Sequence, residues 1–157
     1  MSLISISRTV RAVSLGVWLG CSIMVFVAAP IVFAKLDRSK AGEVVGAILY
    51  AAALLSAGLA VIAVIAEGLI LAKDSSVSSW RRYLPPLALG GAIVLLLLLV
   101  FWIGPRLEAL REQIGQFTPA NENSPERLLF RKLHGASMGL SLLQTILVAV
   151  ALVAGLL

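Results

Sequence analysis

Charge is what this sequence has least of: Asp, Glu, Lys and Arg make up 13% of its 157 residues, against 60% hydrophobic ones. A soluble globular domain carries about 25% charged residues, so an ordinary water-facing surface is excluded and a bilayer becomes the expected solvent. Cysteine is nearly absent. The single Cys21 allows no disulfide framework and no multi-thiol metal site, and "WLGC" around it matches a lipoprotein box only loosely, because Trp18 is too bulky for the place it would fill. There is one histidine, His134, so a second imidazole for a metal is missing. A Gly-rich phosphate loop, an HExxH helix and a nucleophile elbow are all lacking, and a lone histidine without a positioned Ser or Cys partner is no triad. The chain is therefore expected to be non-enzymatic. Its net charge of +5 is spread along the sequence rather than gathered in one run, which makes nucleic acid a poor partner and acidic lipid headgroups a good one.

What the sequence does have is long apolar runs. A bilayer-spanning helix needs about 20 largely apolar residues, and the stretches about 12–34, 44–72, 84–104 and 134–157 meet that test. Lipid offers the backbone no hydrogen-bond partners, so spans are helices or closed barrels. Continuous runs such as "AIVLLLLLVFWIG" exclude the alternation of barrel strands. The expected fold is all-α, a single four-span transmembrane domain over 1–157 packed as a four-helix bundle. The first span, with Arg8 and Arg11 ahead of it and "VFAK" near its end, has the outline of a signal peptide, but its apolar stretch exceeds the roughly 7–15 residues of such a region. It is expected to be retained.

Four spans put the connection 35–43 and the long connection 105–131 on one membrane face, and both termini and the loop 73–83 on the other. The first face holds Lys35, Arg38, Lys40, Arg106, Arg111, Arg127, Arg131 and Lys132; the second holds Arg8, Arg11, Lys73, Arg81 and Arg82. The positive-inside rule leans toward a cytoplasmic first face. "NSPERLLF" predicts a helix start with Ser124 as N-cap, Pro125 as first helical residue and Glu126 complementing the macrodipole. That last helix, at 1.5 Å per residue, would be about 50 Å long and would outrun the roughly 30 Å hydrocarbon core. "RLEALREQIGQF" reads as an additional amphipathic segment between helices 3 and 4, lying on the membrane surface or extending helix 3, and "TPANENSP" as the break after it. Gly16 and Gly20, Gly42 and Gly46, and Gly135 and Gly139 each have the small-xxx-small spacing that lets helix backbones approach.

Residues three and four apart share a helix face, so His134, Ser137, Ser141 and Thr145 form a polar stripe with Gln144 on its flank, expected to face the bundle interior. The serines can instead bond carbonyls of their own helix, and His134 can be either a hydrogen-bonding anchor or a working group. As a metal ligand it would have only Cys21, Met24 and Met138 as soft companions; a haem iron would need its second axial ligand elsewhere or from a second chain. Arg106 reads either as the C-terminal cap of helix 3 or as an anion clamp beside His134. Pro30 frees the Phe26 carbonyl inside the first span. Glu67 is the ionisable residue well inside a span and so a functional candidate, or else the partner of Lys73, Arg81 or Arg82. It belongs near the termini, some 20 Å in depth from His134 given a core of about 30 Å, so the two do not make one site.

With those residues placed, the chain resembles the transmembrane protein 205-like family, small four-span proteins whose bacterial members are grouped as a domain of unknown function. The likeness rests on Trp18, the "AP" and Phe33 ending helix 1, "AGEVVGAILY" with Gly42 and Tyr50, Pro105–Arg106, and "FRKLHGAS" with Phe130, His134, Gly135 and Ser137. Where the family pattern carries an asparagine four residues after that serine, this chain has Ser141, which replaces one hydrogen bond of an amide but not both. The resemblance implies a bacterial inner (cytoplasmic) membrane; a vertebrate member is linked to platinum-drug resistance, and there is a loose likeness to copper-resistance membrane proteins. The expected function is a polar pocket of His134, Ser137, Ser141 and Arg106 that binds or helps transport a metal ion or small solute. The alternative is a structural or accessory subunit of a larger membrane complex. Membrane lipids, a second copy or partner membrane subunits are the expected partners.

Overall fold

The computed structural model describes residues 2–73, 79–114 and 124–156, and the side chains of all of these except 39 and 79–81. They form helices α1 (Leu3–Lys35), α2 (Arg38–Lys73) and α3 (Ser79–Leu98), a π-helical turn (Leu99–Ile103), α4 (Gly104–Ile114) and α5 (Pro125–Leu156), with no strand among the described residues. Four helical stretches are long and apolar enough to cross a membrane: α1, most of α2, Arg82–Ile114 running from α3 through α4, and α5. The architecture is an all-α four-helix bundle.

Each helix outlasts its apolar stretch, and local chemistry sets the ends. α1 starts nine residues before its expected span because Ser2 caps it, its hydroxyl accepting from the Ser5 amide at 3.2 Å. The connection to α2 is only Leu36 and Asp37: the Leu36 amide closes α1 on the Val32 carbonyl at 3.0 Å, and the Asp37 carbonyl accepts the Ala41 amide at 2.8 Å to open α2. Ser124 caps α5 as the sequence predicts, accepting from the Arg127 amide at 3.4 Å. α1 runs through Pro30 without ending.

The amphipathic segment extends α3 rather than standing apart from it. Pro105 has no amide for the Phe101 carbonyl, and its ring would collide with that carbonyl in a regular helix. The chain widens by one residue instead: the Gly104 amide reaches the Leu99 carbonyl five residues back, and α4 continues. Leu107, Leu110 and Ile114 of α4 are half-buried while Glu108, Ala109, Glu112 and Gln113 are exposed. Arg106 consequently caps no helix end. The residues of "TPANENSP" before Ser124 lie outside the described residues.

α1 packs most extensively along α2, and α3 along α5; α1 also meets α5, and α2 touches α3 less. Inward stripes at helical spacing build the core: Leu15 and Trp18 of α1, Ala60 and Ala63 of α2, Ala88, Leu89, Ala92 and Leu96 of α3, Val148 and Ala151 of α5. Alanines let these backbones close around the Trp18 ring, which is fully buried. The glycine pairs do other work than expected. A Cβ at Gly16, Gly20, Gly135 or Gly139 would meet nothing within 4 Å, and one at Gly42 would meet Arg111 Nη2 at 2.7 Å. The first four face open space, while Gly42 makes room for a side chain from α4 rather than for a backbone.

Candidate functional site

Burial is uneven along the bundle. Side chains of α1 are buried at Ser7, Arg11, Ser14, Leu15 and Trp18 and nowhere beyond. α2 is buried at Ala41 near its start and then from Ser56 to Ile70; α5 at Arg127 and then from Gln144 to Ala151. Measured from Arg11, Glu67 and Gly155, which touch, the positions Ser22, Ser56 and Gln144 each lie eleven residues along their helices, about 16 Å away. From that level toward the His134 end, 19–35 of α1, 42–55 of α2 and 128–143 of α5 hold no buried residue. The terminus-side half is closed, whereas in the other half burial is confined to Ile103 of the π-turn and, at the rim, Ala41 and Arg127, and that half is the looser of the two.

The polar stripe of α5 runs along the loose half and turns inward as it descends. His134 is exposed, Ser137, Ser141 and Thr145 are half-buried, and Gln144 is buried. The His134 imidazole lies parallel to the Phe130 ring one turn earlier, with centroids 5.8 Å apart. Ser137 donates to the His134 carbonyl at 2.7 Å and Thr145 to the Ser141 carbonyl at 2.8 Å, so both hydroxyls are satisfied within their own helix while their lone pairs remain. Arg106 is not drawn into this group. It is exposed, and its guanidinium carbon stands 4.2 Å from the centre of the Trp102 ring. Among the described residues no group of three or more His, Cys, Asp or Glu side chains comes together, so a metal ion at His134 would draw its other ligands from backbone carbonyls, from methionine or from a second chain.

The closed half holds what the sequence reading missed. Glu67 pairs with Arg11, Nη1 to Oε2 at 2.6 Å, with both side chains 6% exposed. It does not pair with Lys73 or Arg82; Arg82 donates instead to the Leu71 carbonyl at 2.9 Å, and the Arg81 side chain lies outside the described residues. The second amino group of Arg11 donates to the Gly155 carbonyl, so one guanidinium joins α1, α2 and α5. A Cβ at Gly155 would overlap that guanidinium. The signal was present in the spacing: Ser7, Arg11, Ser14 and Trp18 fall on one helical face, and Arg11 and Glu67 belong to the same membrane side. Glu67 and His134 stand well apart, since Gly155 and His134 are 21 residues, about 31 Å, apart along α5.

Two further groups stand out. The Trp18 indole N–H is buried and has no acceptor among the described residues. At the far end Arg111 donates from α4 to the Gly42 carbonyl at 3.3 Å, beside the buried Ala41, and so ties the rim of the loose half together.

No curated protein and no solved structure matches this chain. A family model does, over residues 13–116, from within α1 to just past α4. The match spans the first three membrane-crossing stretches, the buried face of α1 from Ser14 onward, Glu67 and the π-turn, and the chain therefore belongs to the family described as Domain of unknown function (DUF4149).

Proposed function

We propose that this chain is a non-enzymatic membrane protein that takes up a small solute between its helices in the loosely packed half. The observation that carries this reading is that 19–35 of α1, 42–55 of α2 and 128–143 of α5 hold no buried residue, with Ile103 of the π-turn the buried side chain facing them, beside half-buried Ser137 and Ser141. Binding sites are concave and mostly apolar, with a few placed polar groups; here those groups are Ser137, Ser141 and the carboxamide of Gln144. His134 stands at the exposed entrance. A neutral or weakly polar solute suits this set better than a metal ion, which lacks a cluster of ligands. Part of the same reading is the likeness to the transmembrane protein 205-like family, whose Phe130, His134, Gly135 and Ser137 positions fall in that half, and a place in a bacterial inner membrane with the His134 end cytoplasmic.

Native mass spectrometry of the mildly solubilised protein tests it. A bound small molecule of defined mass is expected on the wild type and is lost when Ser137→Leu and Ser141→Leu fill the space. A wild type that carries nothing, in membranes extracted without harsh delipidation, ends the reading.

One observation favours a second reading, an accessory subunit or homodimer. Gly16 and Gly20 on α1, and Gly135 and Gly139 on α5, keep a spacing suited to close helix contact yet face open space within this chain. A particle mass above that of one chain, reduced by Gly16→Leu or Gly135→Leu, supports it; a strict monomer in mild detergent removes it.

A further inference from the structure

The Arg106–Trp102 pair is left unused by the solute reading. It straddles the end of the apolar run at Gly104, where a bilayer changes from hydrocarbon to headgroups. Trp102 is 47% exposed and its neighbour Phe101 74% exposed, so this edge of the helix faces outward, and tryptophan is one of the two aromatic residues enriched at that depth. The two residues are one turn apart, and the guanidinium carbon stands over the indole 4.2 Å from the ring centre.

A cation held over a ring by its charge spends none of its N–H hydrogen bonds on carboxylate or carbonyl acceptors, and the Arg106 fork keeps its donors for an oxyanion. Among the described residues Trp102 is the group that Arg106 touches; no carboxylate or carbonyl is held by it. The nearby Glu108 is oriented toward Arg111, at 3.9 Å. A stacked arginine keeps its charge and loses little freedom when a bidentate oxyanion arrives. Arg38, Lys40, Arg131 and Lys132 are exposed cations on the same membrane side.

From this geometry we infer that Arg106 and Trp102 form a site for one anionic phospholipid, the phosphate accepting from the Arg106 fork and the acyl chains lying along Trp102 and Phe101. The occupant is a lipid rather than a free anion because the donors sit above an exposed apolar edge instead of inside a polar pocket. General attraction to an acidic membrane contributes about 1 kcal/mol, a factor of about five, for each basic residue near the surface, and a built site exceeds that.

The test is native mass spectrometry of the full chain titrated with phosphatidylglycerol or phosphatidylcholine, with helix content checked by circular dichroism for every variant. The wild type is expected to retain one phosphatidylglycerol in preference to phosphatidylcholine. Arg106→Gln should weaken retention by about tenfold or more, beyond the factor of about five that any surface cation supplies, and Arg106→Lys should restore it only in part. Lys132→Gln is the control for general attraction. Equal losses in Arg106→Gln and Lys132→Gln, equal retention of the two lipids, or displacement of the lipid by millimolar inorganic phosphate would each overturn the proposal. Because Arg106 and Trp102 lie outside the solute-binding residues, the outcome is independent of whether a solute binds.

Discussion

Arg11 and Glu67 show what a buried charge demands of its neighbours. Both are nearly excluded from solvent, and the pair is held at 2.6 Å, so removing one partner strands the other in a medium that cannot solvate it. Glu67→Ala is expected to destabilise the bundle by about 3–5 kcal/mol, whereas replacing both residues together, as Arg11→Met with Glu67→Leu, should be close to neutral. Equilibrium unfolding in mixed micelles measures both, and a double variant as unstable as the single one would show that the pair has a role other than charge compensation. The two glycines at which an added Cβ would crowd an arginine, Gly42 and Gly155, should behave differently. Arg111 is a quarter exposed and can swing into water, so Gly42→Ala should be neutral or gain some of the roughly 0.8–1.0 kcal/mol of helix propensity. Arg11 is fixed by Glu67 and by the Gly155 carbonyl; Gly155→Ala should cost about 1–3 kcal/mol, as overpacking does. Of these residues, the sequence marked Glu67 as unusual from its place in an apolar run but could not name its partner. Arg11 lies ahead of the first apolar stretch and looked like a flanking charge; only its position on the inward face with Ser7, Ser14 and Trp18 brings it to Glu67.

At the level of elements, hydropathy located every span and misjudged most ends, because it measures where lipid is tolerated and not where helical hydrogen bonding stops. Where a side chain marks the end, as Ser124 does for α5, the boundary was readable. Where the helix simply continues through polar sequence, as α2 does back to Arg38, it was not, and the cap Ser2 went unread because it lies well ahead of the first apolar stretch. The π-turn is the element least visible in advance, since its cause, Pro105, reads equally well as a terminator. A π-turn adds one residue to the helix and so rotates the residues beyond it by about 100°. Pro105→Ala restores an amide to the Phe101 carbonyl and should let the turn relax to α, swinging α4 about the axis and taking Arg111 away from Gly42. With spin labels at the exposed positions Lys40 and Gln113, the interlabel distance should move by on the order of 5 Å, given a helix about 10–12 Å across; an unchanged distance would mean that packing against α5, not proline, sets the π-turn. The Trp18 ring tests packing within the closed half. Its N–H has no acceptor among the described residues, so Trp18→Phe should cost little, while Trp18→Ala should cost about 3 kcal/mol, the low end of the range for large aromatic truncations, because lipid is as apolar as the core and transfer adds little.

Across the whole molecule, the four spans and their bundle follow from composition, but the division into a closed and a loose half does not. It arises from which small residues meet. Ala60, Ala63, Ala88, Ala92 and Ala151 converge on Leu15 and Trp18 and close one half, whereas Gly16, Gly20, Gly135 and Gly139, equally small, face outward; spacing alone makes the two sets look alike. The same asymmetry explains why the polar stripe of α5 was expected to be interior and is so only in part: Gln144 reaches the closed half, while His134 stands outside the loose one. The division has a direct chemical readout. In a Cys21→Ser background, a cysteine at Ser141 should react with a small methanethiosulfonate reagent far faster than one at Ala151, which is 1% exposed. Both lie on α5, ten residues or about 15 Å apart along its axis, so a difference in rate reports packing and not a difference in helix. Reaction of Ser141→Cys should be fastest when reagent is added from the His134 side, and Arg111→Ala, which removes the tie to Gly42 across the rim, should speed it further. Equal rates at the two cysteines would mean that the halves are equally closed, and the solute-binding reading would lose the opening on which it depends.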